Sequence, residues 1–176
     1  LAKARAHHLA ARVVVGDAER LPLASSSFDC VTCLGSLENF ARPTMALAEI
    51  HRILKPQGIL CAMMPNKYWL GDALQVWCGR EEQVPFQRFE RLATIRQWRR
   101  LLESYGFLVT RVHGYGKTTP LLTGRRLRSI RKFLLTRLMS LCPPPLAWSI
   151  VYLCRKSSVP VRPDAAGFFQ LFQQGT

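Results

Sequence analysis

Between residues 28 and 64 the sequence changes its period twice, and that change limits the folds open to the chain more than any other feature. Phe28–Leu34 is a short apolar run of strand length. Pro43 then suits a first helical turn, and Met45, Leu47, Ile50, Ile53 and Leu54 recur at roughly helical spacing. Lys55, Pro56, Gln57 and Gly58 stop that helix and turn the chain into a second apolar strand, 59–64. Strands alternating with helices imply an α/β fold with a mostly parallel sheet covered on both faces.

The remaining segments extend the alternation. Residues 1–11 read as the end of a helix, and 11–15 have the β-branched enrichment of a buried strand that Gly16 and Asp17 close. A Ser-rich loop follows over 21–27, its path set partly by Pro22, and 35–39 is a turn or short helical segment. Residues 65–88 are the least regular part and carry Tyr68, Trp69 and Trp77. A helix over 90–105, started by Thr94 and ended by Gly106, leads into a strand over 107–112. Beyond a Gly- and Thr-containing loop, 125–141 form a basic amphipathic helix broken by Pro143, Pro144 and Pro145, and 147–154 form the last strand. A closing antiparallel pair is compatible with the last two strands.

At 176 residues the chain is long enough for one domain with a real core and short for two. Its 25 Lys and Arg against 11 Asp and Glu give a net charge of +14, which favours anionic partners. The excess sits in the C-terminal half, since no acidic residue falls between Glu103 and Asp164. Six cysteines in mostly apolar runs suit buried thiols in a reducing compartment, and no long uncharged apolar window reads as a spanning helix.

An adenosine ligand needs an acceptor for its exocyclic amine, a backbone N–H facing a ring nitrogen, and apolar side chains against the ring. Asp17 and Ala18, at the carboxyl end of an expected parallel strand, can supply the first two, and Leu21 an apolar wall. Equally, Asp17 can cap its own loop through the backbone.

The block Gly16, Asp17, Ala18, Glu19, Arg20, Leu21, Pro22, then Phe28 and Asp29, then Leu37, Glu38, Asn39, then Ala48, Glu49, Ile50, His51, Arg52, Ile53, Leu54, Lys55, Pro56, Gln57, Gly58 stands in this order at ordinary spacing. It resembles the class I S-adenosylmethionine-dependent methyltransferase family, of methyltransferase type 11-like kind, clearly over residues 11–64 and more softly over 94–112. The resemblance implies a partial Rossmann-like methyltransferase fold with S-adenosyl-L-methionine as cofactor. By position, Asp17 and Ala18 would hold the adenine, and Leu34 and Gly35 would line the methionine portion. Asp29 is a structural partner in the family. Glu49 and Arg52, one helical turn apart, read as an ion pair fastening the helix.

Two positions depart from the family pattern. Asn39 stands where members often carry histidine, and Gln57 where the first glycine of a pair is common, which strains the turn. The family's N-terminal glycine-rich cofactor motif and the acidic residue after its next strand have no counterpart upstream of Arg12. Gly114-Tyr115-Gly116 does not replace the motif, because it follows a late strand and lacks the spacing. In the family's sheet order the missing strands lie between 11–15 and 28–34, so two apolar edges are exposed. Residues 1–156 thus read as the C-terminal portion of the domain and 157–176 as a tail, with an oligomer or a missing N-terminal portion completing the sheet.

Methyl transfer from a sulfonium asks the protein mainly for orientation and exclusion of water. His113 is the one candidate base, with Tyr68 and Trp69 as candidate lining of the acceptor path. Metal is disfavoured, since Cys30 and Cys33 would face opposite sides of a strand. The stripe Leu127, Ile130, Leu134, Leu138, Leu141, flanked by arginines, leaves three readings open: packing on the sheet, peripheral contact with an anionic membrane, or RNA contact. The expected function is methyl transfer to a small-molecule or lipid-like acceptor by a protein that is cytoplasmic or membrane-associated. Its rival is a non-catalytic methyltransferase-like remnant or interaction subunit binding an anionic partner.

Overall fold

The computed structural model describes residues 13–68, 91–115, 145 and 147–158. Within them the order is strand β1 (Phe28–Leu34), a 3-10 turn (Leu37–Asn39), helix α1 (Pro43–Ile53), strand β2 (Leu54–Pro65), helix α2 (Ile95–Ser104), strand β3 (Phe107–Tyr115) and strand β4 (Ser149–Lys156). Pro43 opens α1, where its missing N–H removes no helical bond. Helix α2 opens with a capping box: the Gln97 N–H donates to Thr94 Oγ1 at 3.2 Å, and the Thr94 N–H donates to Gln97 Oε1 at 2.8 Å. Its end is turned by the Gly106 N–H donating to the Glu103 carbonyl at 3.1 Å.

The four strands form one sheet in the order β1-β2-β4-β3. β1 pairs with β2 in parallel, whereas β2 with β4 and β3 with β4 are antiparallel. The expectation of a mostly parallel sheet is therefore wrong. The sheet is mixed and mostly antiparallel, and the described residues hold two α-helices. The cause is the placement of β4, which enters between β2 and β3 and runs against both. An antiparallel pair needs no crossover helix, so the last two strands break the alternation that the 28–64 unit suggests. Those two form the closing antiparallel pair that the sequence allowed.

A second correction concerns residues 11–15. Of these, 13–15 lie outside any strand, and Val13, Val14 and Val15 are exposed. Their β-branched side chains favour strand, but the described residues offer them no neighbour to pair with.

The core occupies one face of the sheet. Leu60, Ala62 and Met64 of β2 pair with Cys154, Tyr152 and Ile150 of β4, and all six are buried. Ala46, Leu47 and Ile50 of α1 and Trp98, Leu101 and Leu102 of α2 complete that cluster. Two buried polar groups keep partners there: Trp98 Nε1 donates to the Pro65 carbonyl at 3.0 Å, and the Tyr152 hydroxyl to the Ile95 carbonyl at 3.3 Å. The opposite face, with Cys30, Thr32, Leu34 and Ile59, is exposed among the described residues, so coverage on both faces is not seen there.

Candidate cofactor and acceptor site

β1, β2 and β3 all point the same way, so their carboxyl ends share one rim with the start of β4. In open α/β sheets that rim is where ligands bind. The loop that leads from Asp17 to the amino end of β1 is held by a lash from the last turn of α1. Arg52 donates to the carbonyls of Leu21 at 3.0 Å and Leu23 at 2.8 Å, and pairs with Glu49 at 2.8 Å. Glu49 accepts in turn from the Leu21 N–H at 2.8 Å. The side-chain hydrogen bond from Arg52, the main cause, and that from Leu21 hold the Glu49 carboxyl below its ordinary range. The pair is the helix-fastening device expected of it, and it fastens a loop as well. Asp29 likewise has a structural partner, accepting from Lys55 Nζ with both oxygens at 2.8 and 2.9 Å.

Between this loop, β1 and α1 lies an apolar cavity of about 410 Å³, lined in part by Ala18, Leu21, Phe28, Val31, Leu34 and Ile50. Its size falls in the range of small-molecule sites. Ala18 and Leu34, expected at opposite ends of one ligand, thus meet in a single space. Asp17 adjoins it. Asp17 Oδ1 accepts from the Glu19 N–H at 2.9 Å, so the loop-capping reading holds for one oxygen, and among the described residues the second has no donor. Gly35 turns out of β1 with a φ of +62°, its N–H donating to the Met63 carbonyl at 2.9 Å. These residues fit an adenine and the adjoining part of a nucleoside cofactor. Cys33, also on the cavity, is pushed up to about 11 by burial and then by the Glu38 charge, which keeps its thiol protonated and poorly nucleophilic. Cys30 is exposed and Cys33 buried, on opposite faces of β1.

The other expected residues stand apart from the cavity. Tyr68, beyond the end of β2, is 64% exposed, with Lys67 Nζ 5.9 Å from its ring centre. His113 is exposed near the end of β3, opposite Val151. It is three strand spacings from β1, roughly 14 Å. Trp69 and the segment 125–141 lie outside the described residues. His51, read as surface or core filling, is half-buried, with its ring edge-to-face against Phe107 at 5.5 Å. Burial and then the Lys156 charge lower its pKa.

Two residues that organise the rim were missed. Arg91 donates to the carbonyls of Glu38, Phe40 and Ala41, tying the chain after residue 90 to the loop after β1. Asn66 is buried and joins three segments at the end of β2. Nothing local to Arg91 signals its role; for Asn66 the signal was a polar residue directly after an apolar strand.

Known proteins are similar to parts of this chain. Residues 1–62 match the family model described as a methyltransferase domain. A demethylmenaquinone methyltransferase of Deinococcus radiodurans is 50% identical over 58 residues, covering 33% of this chain and 24% of that protein. The chloroplastic 2-methyl-6-phytyl-1,4-hydroquinone methyltransferase 1 of rice is 28% identical over 136 residues, covering 68% of this chain and 41% of that protein. An S-adenosylmethionine-dependent methyltransferase of Mesorhizobium loti superposes with a TM-score of 0.57 at 17% identity, covering 88% of this chain and 74% of that one. The matched part of the chain thus spans well under half the length of these two sequence relatives. Residues 1–62 are thus similar to a methyltransferase domain, and the chain shares the fold of the Mesorhizobium loti protein.

Proposed function

We propose that residues 1–156 are the C-terminal portion of a class I methyltransferase domain, with 157–176 as a tail, and that the whole domain methylates a small quinone-like or lipid-like acceptor. The observation that carries this reading is the cavity in which Ala18 and Leu34 converge beside Asp17. The cofactor, when bound, supplies an activated methyl group. The chain's own share is to hold and shield it. Asp17 accepts from the adenine amine with the oxygen its loop leaves over, the Ala18 N–H faces the ring, Leu34 and Gly35 line the methionine portion, and the apolar walls keep water out.

Support for the acceptor class comes from the relatives, whose names specify a demethylmenaquinone and a phytyl hydroquinone. Tyr68 and Trp69 would line the acceptor path. His113 is a base only for an acceptor long enough to extend across the rim from β1 to β3. An apolar acceptor resident in a bilayer would also give the basic stripe of 125–141 an anionic surface to meet, placing a cytoplasmic protein at the membrane periphery. No described helix is long and apolar enough to cross a membrane.

Titration calorimetry with S-adenosylhomocysteine tests the reading. Micromolar binding, about −8 kcal/mol, is expected of wild type. Asp17→Asn should weaken it about tenfold, since asparagine can keep the bond to the Glu19 N–H while losing one acceptor oxygen. A folded wild type that releases no heat would overturn cofactor binding by this chain. That result would favour the second reading, a non-catalytic interaction subunit, for which the outer edge of β1, unpaired among the described residues, speaks.

A further inference from the structure

Asn66 sits where β2 ends and is 6% exposed. Its carboxamide nitrogen donates to the Pro145 carbonyl at 2.8 Å and the Ala147 carbonyl at 3.0 Å, with the Tyr68 carbonyl at 3.3 Å. Its Oδ1 accepts from the Tyr68 N–H at 3.4 Å. The Asn66 N–H donates to the Trp148 carbonyl at 3.0 Å, and the Lys67 N–H to the Ala93 carbonyl at 3.2 Å. Three stretches of chain, 66–68, 93 and 145–148, therefore converge on one residue.

The chemistry of the knot requires a primary amide. Carbonyls on one side need a donor, the Tyr68 N–H on the other needs an acceptor, and a carboxamide offers both in one rigid plane. Aspartate would set a charge against the Pro145 and Ala147 carbonyls, and alanine would leave them without this donor. What the knot presents is Tyr68. The ring stands in solvent while its own backbone N–H and carbonyl are both held by Asn66. On the neighbouring strand the Gly35 N–H bonds the Met63 carbonyl, which sets the rim at Leu34 and Gly35 beside the residues leading into the knot.

We propose that Asn66 is a positioning residue that fixes Tyr68 relative to Leu34 and Gly35, and through Tyr68 decides where an acceptor ring lies. This rests on the functional reading above, and its test separates the two. On the full chain, binding of S-adenosylhomocysteine is measured by calorimetry and binding of 1,4-naphthoquinone by quenching of tryptophan fluorescence, for wild type, N66A, Y68A and the double variant. Y68A and N66A should each weaken naphthoquinone binding about tenfold, the double variant should lose little more, and the S-adenosylhomocysteine affinity should stay within about twofold. A merely structural role would not produce that non-additivity. N66S, which keeps one donor and one acceptor, replaces N66A if the latter fails to fold. Unchanged naphthoquinone binding by the Asn66 variant, or losses that add to those of Y68A, overturns the proposal alone. A wild type that binds neither probe overturns the functional reading and this proposal with it; one that binds only S-adenosylhomocysteine overturns the acceptor class and the role of Asn66.

Discussion

Gln57 and Gly58 divide the demands of one turn between them. Gln57 takes a φ of +64°, in the left-handed region where a side chain crowds the backbone. At Gly58 the constraint is space: a Cβ there would lie 2.9 Å from the Lys55 carbonyl oxygen and 3.3 Å from that of Asp29. Gln57→Gly should therefore raise stability by about 1 kcal/mol, and Gly58→Ala should lower it by about 1–3 kcal/mol, both read from the urea midpoint. A Gln57→Gly protein less stable than wild type would refute the strain. The departure at Gln57 was legible because a family pattern existed to depart from. Arg91 was not, and Asn66 showed only as a polar residue after an apolar strand, because the carbonyls that define their roles are far away in sequence.

Among elements, those set by local signals were read most closely. β1 has the bounds its apolar run suggests, Pro43 opens α1, and Thr94 caps α2. Elements defined by their neighbours were read short. β2 begins at Leu54 and β3 continues to Tyr115, because a ladder extends as far as a partner strand accompanies it, and Tyr115 pairs with Ser149. The 21–27 loop is local in sequence but owes its course to α1: the Ser26 N–H donates to the Arg52 carbonyl at 2.9 Å and the Ser27 N–H to that of Ile53 at 2.8 Å, beside the Arg52 lash. Arg52→Ala should free the loop while α1 persists. Trypsin should then cut after Arg20 several times faster, with the helical circular dichroism unchanged; an unchanged cutting rate would show that the backbone bonds suffice.

For the molecule as a whole, the sheet order decides both risk and site. β1 is the outer strand of the described sheet, and after Asp29 it carries no charge and no proline, the devices that usually guard such an edge. Thr32→Lys should reduce concentration-dependent light scattering; equal scattering would place the sticky surface elsewhere. The apolar cavity runs along this same strand. That β1 stands outermost among the described strands agrees with the exposed edge expected at 28–34, while the single-faced core of the described residues and the insertion of β4 were not legible, since neither leaves a periodic trace.

That insertion also sets an order of events in time. β1, α1 and β2 are contiguous and can dock on one another early, but β3 reaches β2 only through β4, which joins Leu60 to Cys154, far apart in sequence. Closing so long a loop precedes any gain from the ladder, so completion of the sheet should limit the folding rate. During synthesis the nascent protein would carry an open β2 flank until β4 emerges, a long interval in which chaperones have a surface to hold.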